Sequence, residues 1–281
     1  MTRDLLAVGE VLLDVRVRAL EPGRTVHAPA RVAPGGTPVN AALAAARAGA
    51  RAAVIGRIGM DAAGAGIAAA LREAGVEALL AVDDFLPTGI FVDAGVGESR
   101  AIATDRGASA ALRLDDIPDE LGATVVLVSG YTLLLEDVAP AARAAIGSAG
   151  DARWVAVTAG SAPLVRRVGA EAFHERAGGA NVVFANAEEA QVLTGLSGEE
   201  AALALAREYE LAVVTAGAEG GVVATRDGRV EHARPLEVAQ APPAGLGDAL
   251  AGTFLAALAR GTNVRDALQA ACAAAFAVAA G

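Results

Sequence analysis

A glycine-rich turn that leads into a helix carries the clearest chemical signal in the sequence. Gly245, Leu246 and Gly247 precede Asp248, and the stretch ALAGTFLAALARG that follows has a helical pattern. Consecutive backbone amides at a helix N-terminus bind anions, and they suit a phosphoryl group that gains charge during transfer. The carboxylate of Asp248 lies in the same turn, where it could accept a proton from an attacking hydroxyl. Because an aspartate in a first turn is also a common partner of the helix dipole, the turn alone leaves both roles open.

A second pair of glycines begins the stretch GGTPVNAALAAARAG, which runs from Gly35 to Gly49. Gly35 and Gly36 permit close approach of a ligand to the backbone, and the first amides of the following helix are free donors. A structural turn explains the glycines equally well. Asn40 favours a binding site, because an amide side chain just inside a helix start is better suited to binding hydroxyls than to propagating the helix.

The charge and composition of the chain exclude several classes of function. The formal net charge is −10 at pH 7, so we expect no nucleic-acid partner, because such binding begins with a basic surface. All 23 basic residues are arginine, which excludes kinases that hold phosphate with a lysine and enzymes that form a Schiff base. The three histidines, His27, His174 and His232, have no metal-ligand spacing, so no zinc site is expected.

The sequence predicts a cytoplasmic protein. Its single cysteine, Cys272, lies in an alanine-rich helical stretch, which indicates a small buried residue rather than a reactive thiol. The first residues show no apolar run followed by a cleavage site. The longest apolar stretch, from Ala267 to Gly281, is too short to cross a bilayer, so we expect no membrane association.

The elements that could position these residues alternate along the chain. Short, continuous apolar runs alternate with alanine-rich helical stretches, which is typical of strands buried on both faces of a parallel sheet. The runs are Leu5 to Val8, Ala52 to Gly56, Val125 to Ser129, Trp154 to Val157, Val182 to Ala185 and Leu211 to Thr215. The predicted fold class is therefore α/β, with a doubly wound, mostly parallel sheet flanked by helices, and residues 1–281 in a single domain.

Two segments, about Val11 to Val32 and about Thr88 to Thr104, interrupt this alternation of strands and helices. They alternate polar and apolar residues with glycines between them and lack a helical period, which predicts antiparallel strands covered on one side. A few such strands are not stable alone. We expect a small inserted β-sheet that either folds over the substrate as a lid or pairs with the same strands of a second subunit. The homodimer is preferred, because pairing protects the exposed edges and the apolar face.

Five stretches, in order and over nearly the whole chain, resemble the motifs of the ribokinase (PfkB) family of carbohydrate kinases. They are GEVLLD at Gly9 to Asp14; GGTPVNAALAAARAG followed by GRIGMDAAG at Gly56 to Gly64; Asn186-Ala187-Glu188-Glu189; VVTAGAEGGVV at Val213 to Val223; and the turn from Gly245 to Asp248. Each string is weak alone, but the order is typical of the family. The resemblance implies a ribokinase-like fold and a kinase that uses ATP and Mg²⁺ to phosphorylate a hydroxyl of a sugar-like substrate.

The resemblance also implies roles for individual residues. Asp248 is implied as the catalytic base, with the amides of Gly245, Leu246 and Gly247 as an anion hole. The residues implied to orient the substrate are Asp14, Gly35, Gly36 and Asn40. Those implied to border the nucleotide are Asn186, Thr215, Gly217 and Gly220, with Glu189 holding magnesium through water.

Arg106 is a further candidate, in the stretch ATDRGAS where the second of the two segments returns to the main sheet. Its guanidinium could neutralise phosphate charge or contact the substrate. An ordinary solvated arginine fits the sequence equally well.

The chain departs from the family pattern at three places. Pro242-Pro243-Ala244 replaces the usual residues before the glycine turn, including an aspartate that helps form a monovalent-cation site, so potassium activation is not expected. Leu246 replaces the usual alanine, in a turn that contributes backbone amides rather than side chains. The chain ends at AFAVAAG, where relatives continue along the adenine, which indicates a more open nucleotide pocket.

Three other functions remain to be weighed against a sugar kinase. A nucleoside kinase has the same fold, and a sugar or nucleotide sensor could keep the fold while losing the chemistry. A nicotinamide-dependent oxidoreductase also uses a parallel sheet. The first strand, however, is followed by Glu10 to Asp14 rather than by a GxGxxG turn and helix, which counts against that class.

Overall fold

The computed structural model describes residues 2–21, 23–95, 100–234 and 245–280, so the Pro242-Pro243-Ala244 stretch lies outside the described residues. The strands are β1 (Arg3–Val8), β2 (Leu12–Val17), β3 (Ala30–Gly35), β4 (Ala52–Gly59), β5 (Glu77–Asp83), β6 (Thr88–Ala94), β7 (Ala101–Gly107), β8 (Ala123–Val128), β9 (Trp154–Thr158), β10 (Val182–Asn186), β11 (Leu211–Thr215), β12 (Gly221–Thr225) and β13 (Val230–Ala233). The helices are α1 (Thr37–Arg47), α2 (Ala62–Glu73), α3 (Gly130–Leu134), α4 (Ala139–Gly147), α5 (Ala162–Val168), α6 (Ala170–Arg176), α7 (Ala187–Thr194), α8 (Gly198–Glu208), α9 (Leu246–Ala259) and α10 (Val264–Ala280).

Nine of the described strands form the main sheet, in the spatial order β13-β12-β11-β10-β9-β8-β1-β4-β5. Neighbouring strands from β11 to β5 are parallel, and β12 and β13 add an antiparallel edge. All six predicted apolar runs lie in this sheet, which confirms the predicted fold class. The strands that the sequence did not predict are β5, β12 and β13, at or next to the edges. Half-exposed side chains interrupt the apolar runs of β5 and β13, and the buried run of β12 is short, at residues 222–224.

The winding of the chain reverses at β1, which pairs with β4 on one side and with β8 on the other. From β1 the later strands extend outwards in both directions, as in a doubly wound fold. Ligands of open α/β sheets bind in the crevice at the carboxyl ends of the strands where the order reverses. Residues that follow β1 and β8 are therefore expected to border a binding site.

A second, small sheet has the order β3-β2-β6-β7. It contains both segments that the sequence predicted as inserted strands. Its outer pairs are antiparallel, but β2 and β6 are parallel. The prediction of antiparallel strands is therefore wrong for the central pair. The reason is topological: α1, β4, α2 and β5 separate β2–β3 from β6–β7, and such a crossover can return the chain in the same direction. The predicted single-domain organisation stays a prediction.

Helices α1 and α9 pack in close contact beside the crevice. A side chain at Gly252 would clash with the backbone of Ala41, so this approach requires a glycine. Surrounding alanines on both helices are buried, which keeps the helix axes near one another. The contact brings together the first turns of the two helices, which carry Asn40 and Asp248.

The C-terminal helix α10 packs against α9 and covers part of the main sheet. Cys272 on α10 is 3% exposed, in agreement with the prediction of a small buried residue. Across the described residues, no helix combines the length and the apolar character that a membrane span requires.

Candidate active site

A cavity of about 470 Å³ lies between the carboxyl ends of the main-sheet strands and the small sheet. The main sheet contributes residues at or just beyond its strand ends: Glu10, Tyr131, Thr158, Asn186 and Thr215. The small sheet contributes Leu12, Asp14, Arg16, Phe91, Ile102, Thr104 and Arg106. The beginnings of α1 and α9 contribute Thr37, Asn40, Gly245, Gly247 and Asp248. The cavity therefore lies at the position that the strand order predicts.

The glycine turn that could bind phosphate leads directly into α9. Gly245 precedes the helix with a φ of 90°, a left-handed conformation that glycine adopts without strain. The first amides of α9 have no partner within the helix and remain available to an anion. Gly245 and Gly247 line the cavity, whereas Leu246 does not, so the leucine side chain leaves the turn accessible.

Asp248 lies in the first turn of α9 and is held by α1. Its Oδ2 accepts a hydrogen bond from Asn40 Nδ2 at 2.9 Å, and the Thr37 side chain donates a further hydrogen bond. Burial raises the pKa of Asp248 from 3.8 to about 6, and the negative charge of Glu10 acts in the same direction. These hydrogen bonds favour the ionised form and oppose that rise. At neutral pH the carboxylate is ionised and able to accept a proton.

Asp14 extends into the cavity from β2 of the small sheet. Asp14 is 6% exposed, and its carboxylate forms an ion pair with Arg16, with Nη2 of the arginine 2.6 Å from Oδ2. Gly35 on β3 lies diagonally across from Asp14, in register with Leu12, and an added Cβ there would lie only 2.8 Å from the Asp14 Cβ. Asp14 therefore presents oxygen acceptors that the small sheet holds in place over the cavity.

Arg106 lies in the cavity at the end of β7, and its Nη2 is buried with no hydrogen-bond partner among the described residues. Burial lowers the pKa of this guanidinium, whereas the charges of Glu10 and Asp137 favour its charged form. Because arginine stays protonated in proteins, the result is a partly desolvated cation. The described structure therefore excludes an ordinary solvated arginine, and an anionic group of a ligand could satisfy the buried donor.

Asn186 and Glu189 form a capping box at the start of α7. Asn186 Oδ1 accepts a hydrogen bond from the backbone amide of Glu189, and Glu189 Oε2 accepts one from the backbone amide of Asn186, both at 2.9 Å. Burial raises the pKa of Glu189, and the charge of Asp248 contributes. Both residues line the cavity, near the end of β11 where Thr215 also lies.

Four residues predicted for the site do not line the cavity: Gly35, Gly217, Gly220 and Leu246. Gly35 and Leu246 adjoin lining residues. Gly217 and Gly220 lie in the turn between β11 and β12, beyond Thr215. A side chain at Gly220 would clash with the backbone of Ala233 on β13, so this glycine has a packing reason of its own.

Among the lining residues without a role assigned from the sequence, three polar ones lie at strand or helix ends near the base: Glu10, Thr37 and Tyr131. Tyr131 follows β8, is partly exposed, and forms a side-chain hydrogen bond with Ser161; burial raises the pKa of its hydroxyl. Glu10 and Tyr131 both lie just beyond strands that meet where the winding reverses. The apolar runs predicted those strands individually, but the sequence did not show that they are neighbours.

The donor atoms suit a magnesium ion held through water. In the described residues, no group of three or more histidine, cysteine, aspartate or glutamate side chains is arranged to hold a metal ion directly. Glu189 and Asn186 present hard oxygen atoms, and Mg²⁺ usually keeps several waters while binding substrate phosphates. Glu189 Oε2 accepts the hydrogen bond of the capping box, so Oε1 is the oxygen that could contact a water molecule bound to magnesium.

The sequence profile of the pfkB family of carbohydrate kinases matches residues 2–280. The chain belongs to this family. It is therefore a carbohydrate kinase, a phosphotransferase with an alcohol group as acceptor, which confirms the resemblance seen in the five sequence stretches. The nicotinamide-dependent alternative is excluded.

Two relatives are named as dehydro-deoxygluconokinases. The chain is 34% identical over 289 residues to a 2-dehydro-3-deoxygluconokinase from Thermoproteus tenax, covering 96% of this chain and 86% of the relative. It is 28% identical over 287 residues to a 5-dehydro-2-deoxygluconokinase from Shouchella clausii, with 95% and 86% coverage.

Solved structures of the family share the fold throughout. An adenosine kinase from Sinorhizobium meliloti superposes with a TM-score of 0.89 at 25% identity and covers 100% of this chain and 95% of its own. A putative ribokinase II from E. coli, in complex with ATP and Mg²⁺, has a TM-score of 0.87 at 19% identity, with 99% and 93% coverage, and shows the fold alone.

Proposed function

We propose that this kinase uses ATP and Mg²⁺ to phosphorylate a hydroxyl of a sugar acid, with Asp248 as the base. The observation that carries the proposal is the hydrogen bond from Asn40 on α1 to Asp248 at the start of α9. This arrangement places an ionised carboxylate beside a row of free amides in a cavity that is partly closed to water.

The proposed reaction begins when the small sheet and α1 orient the acceptor. Asp14 and Asn40 hydrogen-bond to substrate hydroxyls, and Asp248 takes the proton of the attacking hydroxyl. The new bond forms between that oxygen and the γ-phosphorus of ATP, while the bond from the γ-phosphorus to the bridging oxygen breaks and ADP leaves. Positioning and electrostatics supply most of the acceleration in such transfers.

The start of α9 binds the transferred group in this proposal. The amides of Gly245, Leu246 and Gly247 donate to the equatorial oxygens, where charge is present in the transition state. Asn186 and Glu189 hold magnesium through water, and Thr215, Gly217 and Gly220 border the nucleotide. When bound, magnesium screens the phosphate charges and orients the phosphates.

The acceptor class rests on Arg106. This residue brings a buried, unpartnered guanidinium nitrogen to the cavity, and a carboxylate is its natural partner. The names of both curated relatives designate kinases of gluconate derivatives, which is consistent with such a partner. We therefore assign the substrate carboxylate to Arg106.

A spectrophotometric assay of ADP formation tests the proposal with 2-dehydro-3-deoxygluconate, ribose, fructose and adenosine as acceptors. We expect the sugar acid to give the highest kcat/KM. Arg106→Gln should raise the KM for the acid at least 10-fold, since a charge-assisted contact is lost, and should change the KM of neutral sugars little. The control is Arg31→Gln, because Arg31 is exposed on β3 outside the cavity.

Three results would contradict the proposal in different ways. Preference for adenosine would establish a nucleoside kinase instead. Binding of sugars or nucleotides without ADP formation would establish a sensor. An equal effect of Arg106→Gln on acidic and neutral sugars would remove the carboxylate assignment while leaving the kinase activity intact.

A cytoplasmic location and a homodimer formed through the small sheet complete the proposal. The location rests on the sequence features and is tested by cell fractionation. The strong negative charge of the chain supports the absence of a nucleic-acid partner.

A further inference from the structure

Glu10 is a buried carboxylate in the cavity wall that has no role in the proposed reaction. It follows β1 directly, at the point where the winding of the main sheet reverses, and it is 6% exposed. Burying a carboxylate is costly unless its oxygens are hydrogen-bonded, and the cost is usually offset by a function or by a specific partner. Its contacts therefore indicate why an acidic residue occupies this position.

Both oxygen atoms of Glu10 accept hydrogen bonds from neutral donors. The backbone amide of Thr37, the first residue of α1, donates to Oε1 at 3.1 Å, and the Thr132 hydroxyl on α3 donates to Oε2 at 3.2 Å. Neither donor carries a formal charge, so the hydrogen bonds satisfy the oxygens without cancelling the negative charge. The start of a helix further favours a carboxylate at this position.

Thr37 connects Glu10 to the base. Its backbone amide binds Glu10, and its side chain donates a hydrogen bond to Asp248. Next to Thr37, Gly36 packs so tightly on the Glu10 backbone that an added side chain would clash with the Glu10 carbonyl. Glu10 therefore fixes the beginning of α1, from which Thr37 and Asn40 both reach Asp248.

We propose, on the basis of the kinase function above, that Glu10 is a positioning residue whose hydrogen bonds fix α1 against Asp248 and whose negative charge makes the Asp248 carboxylate a stronger base.

The charges around Asp248 support this assignment. Glu10 is the acidic neighbour whose negative charge raises the pKa of Asp248, after the larger effect of burial. The other charged or titratable groups facing the cavity are Asp14, Arg16 and Arg106 from the small sheet, Tyr131 from α3 and Glu189 from α7. Glu189 and Tyr131 each experience the charge of Asp248, and Tyr131 and Arg106 experience that of Glu10, so these five groups are electrostatically coupled.

Glu10→Gln and Thr132→Val form a matched pair for the test. The glutamine keeps the shape and the acceptor for the Thr37 amide but removes the charge. The valine keeps the Glu10 charge but removes one of its two hydrogen bonds. A role in charge and a role in packing therefore predict opposite results for the two variants.

The titration of Asp248 is followed by carbon NMR of protein labelled at the aspartate carboxyl carbons. The Asp248 signal is assigned by its loss in Asp248→Asn, and this measurement needs no turnover. We expect Glu10→Gln to lower the midpoint of this titration by about 0.5–1 pH units, because a neighbouring negative charge is gone. Thr132→Val should leave the midpoint unchanged or raise it.

The acid limb of the kcat profile should move with the NMR midpoint. In Glu10→Gln, kcat at pH 7.5 should fall by about 2–3-fold, because a base with a lower pKa is weaker and the proton is only partly transferred in the transition state. An unmoved Asp248 midpoint in Glu10→Gln, or a lowered one in Thr132→Val, overturns the inference. If wild-type protein phosphorylates no acceptor, the proposed function fails, and the NMR titration still decides the role of Glu10. If Glu10→Gln does not fold, a lowered midpoint in Thr132→Val still overturns the inference.

Discussion

Asn40 Nδ2 lies 2.9 Å from Asp248 Oδ2, and this hydrogen bond joins residues that are 208 positions apart in the chain. The two side chains meet because Gly252 lets α9 pack directly on the backbone of α1. Burial alone would favour a neutral carboxyl group at Asp248. The amide of Asn40 donates to the ionised form and keeps it available at neutral pH.

Asp248→Asn should abolish most of the turnover while preserving the fold and ligand binding. The amide has the shape of the carboxylate but cannot take the proton of the attacking hydroxyl. We expect kcat to fall about 100-fold or more, with a nearly unchanged KM for the acceptor. The measurement is the ADP-formation assay at saturating substrate, with thermal unfolding as the control for folding. Turnover within a factor of a few of wild type would show that another group is the base.

The same substitution should stabilise the protein at neutral pH. The pKa of Asp248 is raised from 3.8 to about 6 in the folded state, so the folded protein holds a proton at pH 5 that the unfolded chain has released. The free energy of unfolding therefore falls as the pH rises from about 4 to 6. Above pH 6 the buried, ionised carboxylate destabilises the folded protein. Replacing it with asparagine should increase the free energy of unfolding by about 1–3 kcal/mol at pH 7.5.

Denaturant unfolding at several pH values measures this effect. At pH 4 the aspartate is protonated in the folded protein, and the two proteins should have nearly equal stability. A wild type that is more stable than Asp248→Asn at pH 7.5 would show that the hydrogen bonds to Asn40 and Thr37 outweigh the effect of burial.

Glu189→Gln should weaken the response to magnesium. Glutamine can keep the capping box with Asn186, so the start of α7 should remain intact. The loss of a negative charge should raise the magnesium concentration for half-maximal activity by about 10-fold or more. Glu188→Gln is the matched control, because Glu188 is the neighbouring residue, is exposed, and pairs with Arg166. Equal effects of the two substitutions would assign the change to general surface charge.

The sequence predicted the main sheet well, because burial on both faces forces continuous apolar runs on its central strands. The resemblance to the family also brought Asn40 and Asp248 into one site. Periodicity alone could not do so, since the two residues lie at opposite ends of the chain. Their proximity depends on the contact at Gly252, a small residue in an alanine-rich helix that carries no local signal.

Other features depend on tertiary structure. The pairing of β2 with β6 is parallel because of the connection between them. Polar and apolar residues alternate in the same way along parallel and antiparallel strands, so the sequence pattern could not predict the strand direction. The sequence shows Glu10 and Thr132 separately, but their hydrogen bond requires β1 and β8 to be neighbours. The Nη2 atom of Arg106 lacks a hydrogen-bond partner because the cavity walls bury it. The sequence does not show this burial, so it left the role of Arg106 open.

The small sheet should form the contact between two subunits. Register places Val32 beside Val15 and Val15 beside Val92, on the face opposite to the row of Asp14, Phe91 and Thr104. Val32 is 59% exposed and Ile90 is 38% exposed, so part of this face is apolar and open to water. The outermost strands β3 and β7 also have unpaired edges within the described residues. A two-fold dimer that covers the face and the edges would remove both sources of aggregation.

Light scattering at micromolar concentration should give the mass of a dimer for the wild type. The double substitution of Val32→Asp with Ile90→Asp should give a monomer, because two charges would have to be buried at the interface. The control is Leu196→Asp, since Leu196 is an exposed apolar residue outside the small sheet, between α7 and α8. This control should remain a dimer. A monomeric wild type, or a dimer that persists in the double variant and dissociates in the control, would place any subunit contact away from the small sheet and leave that sheet to act as a lid within one chain.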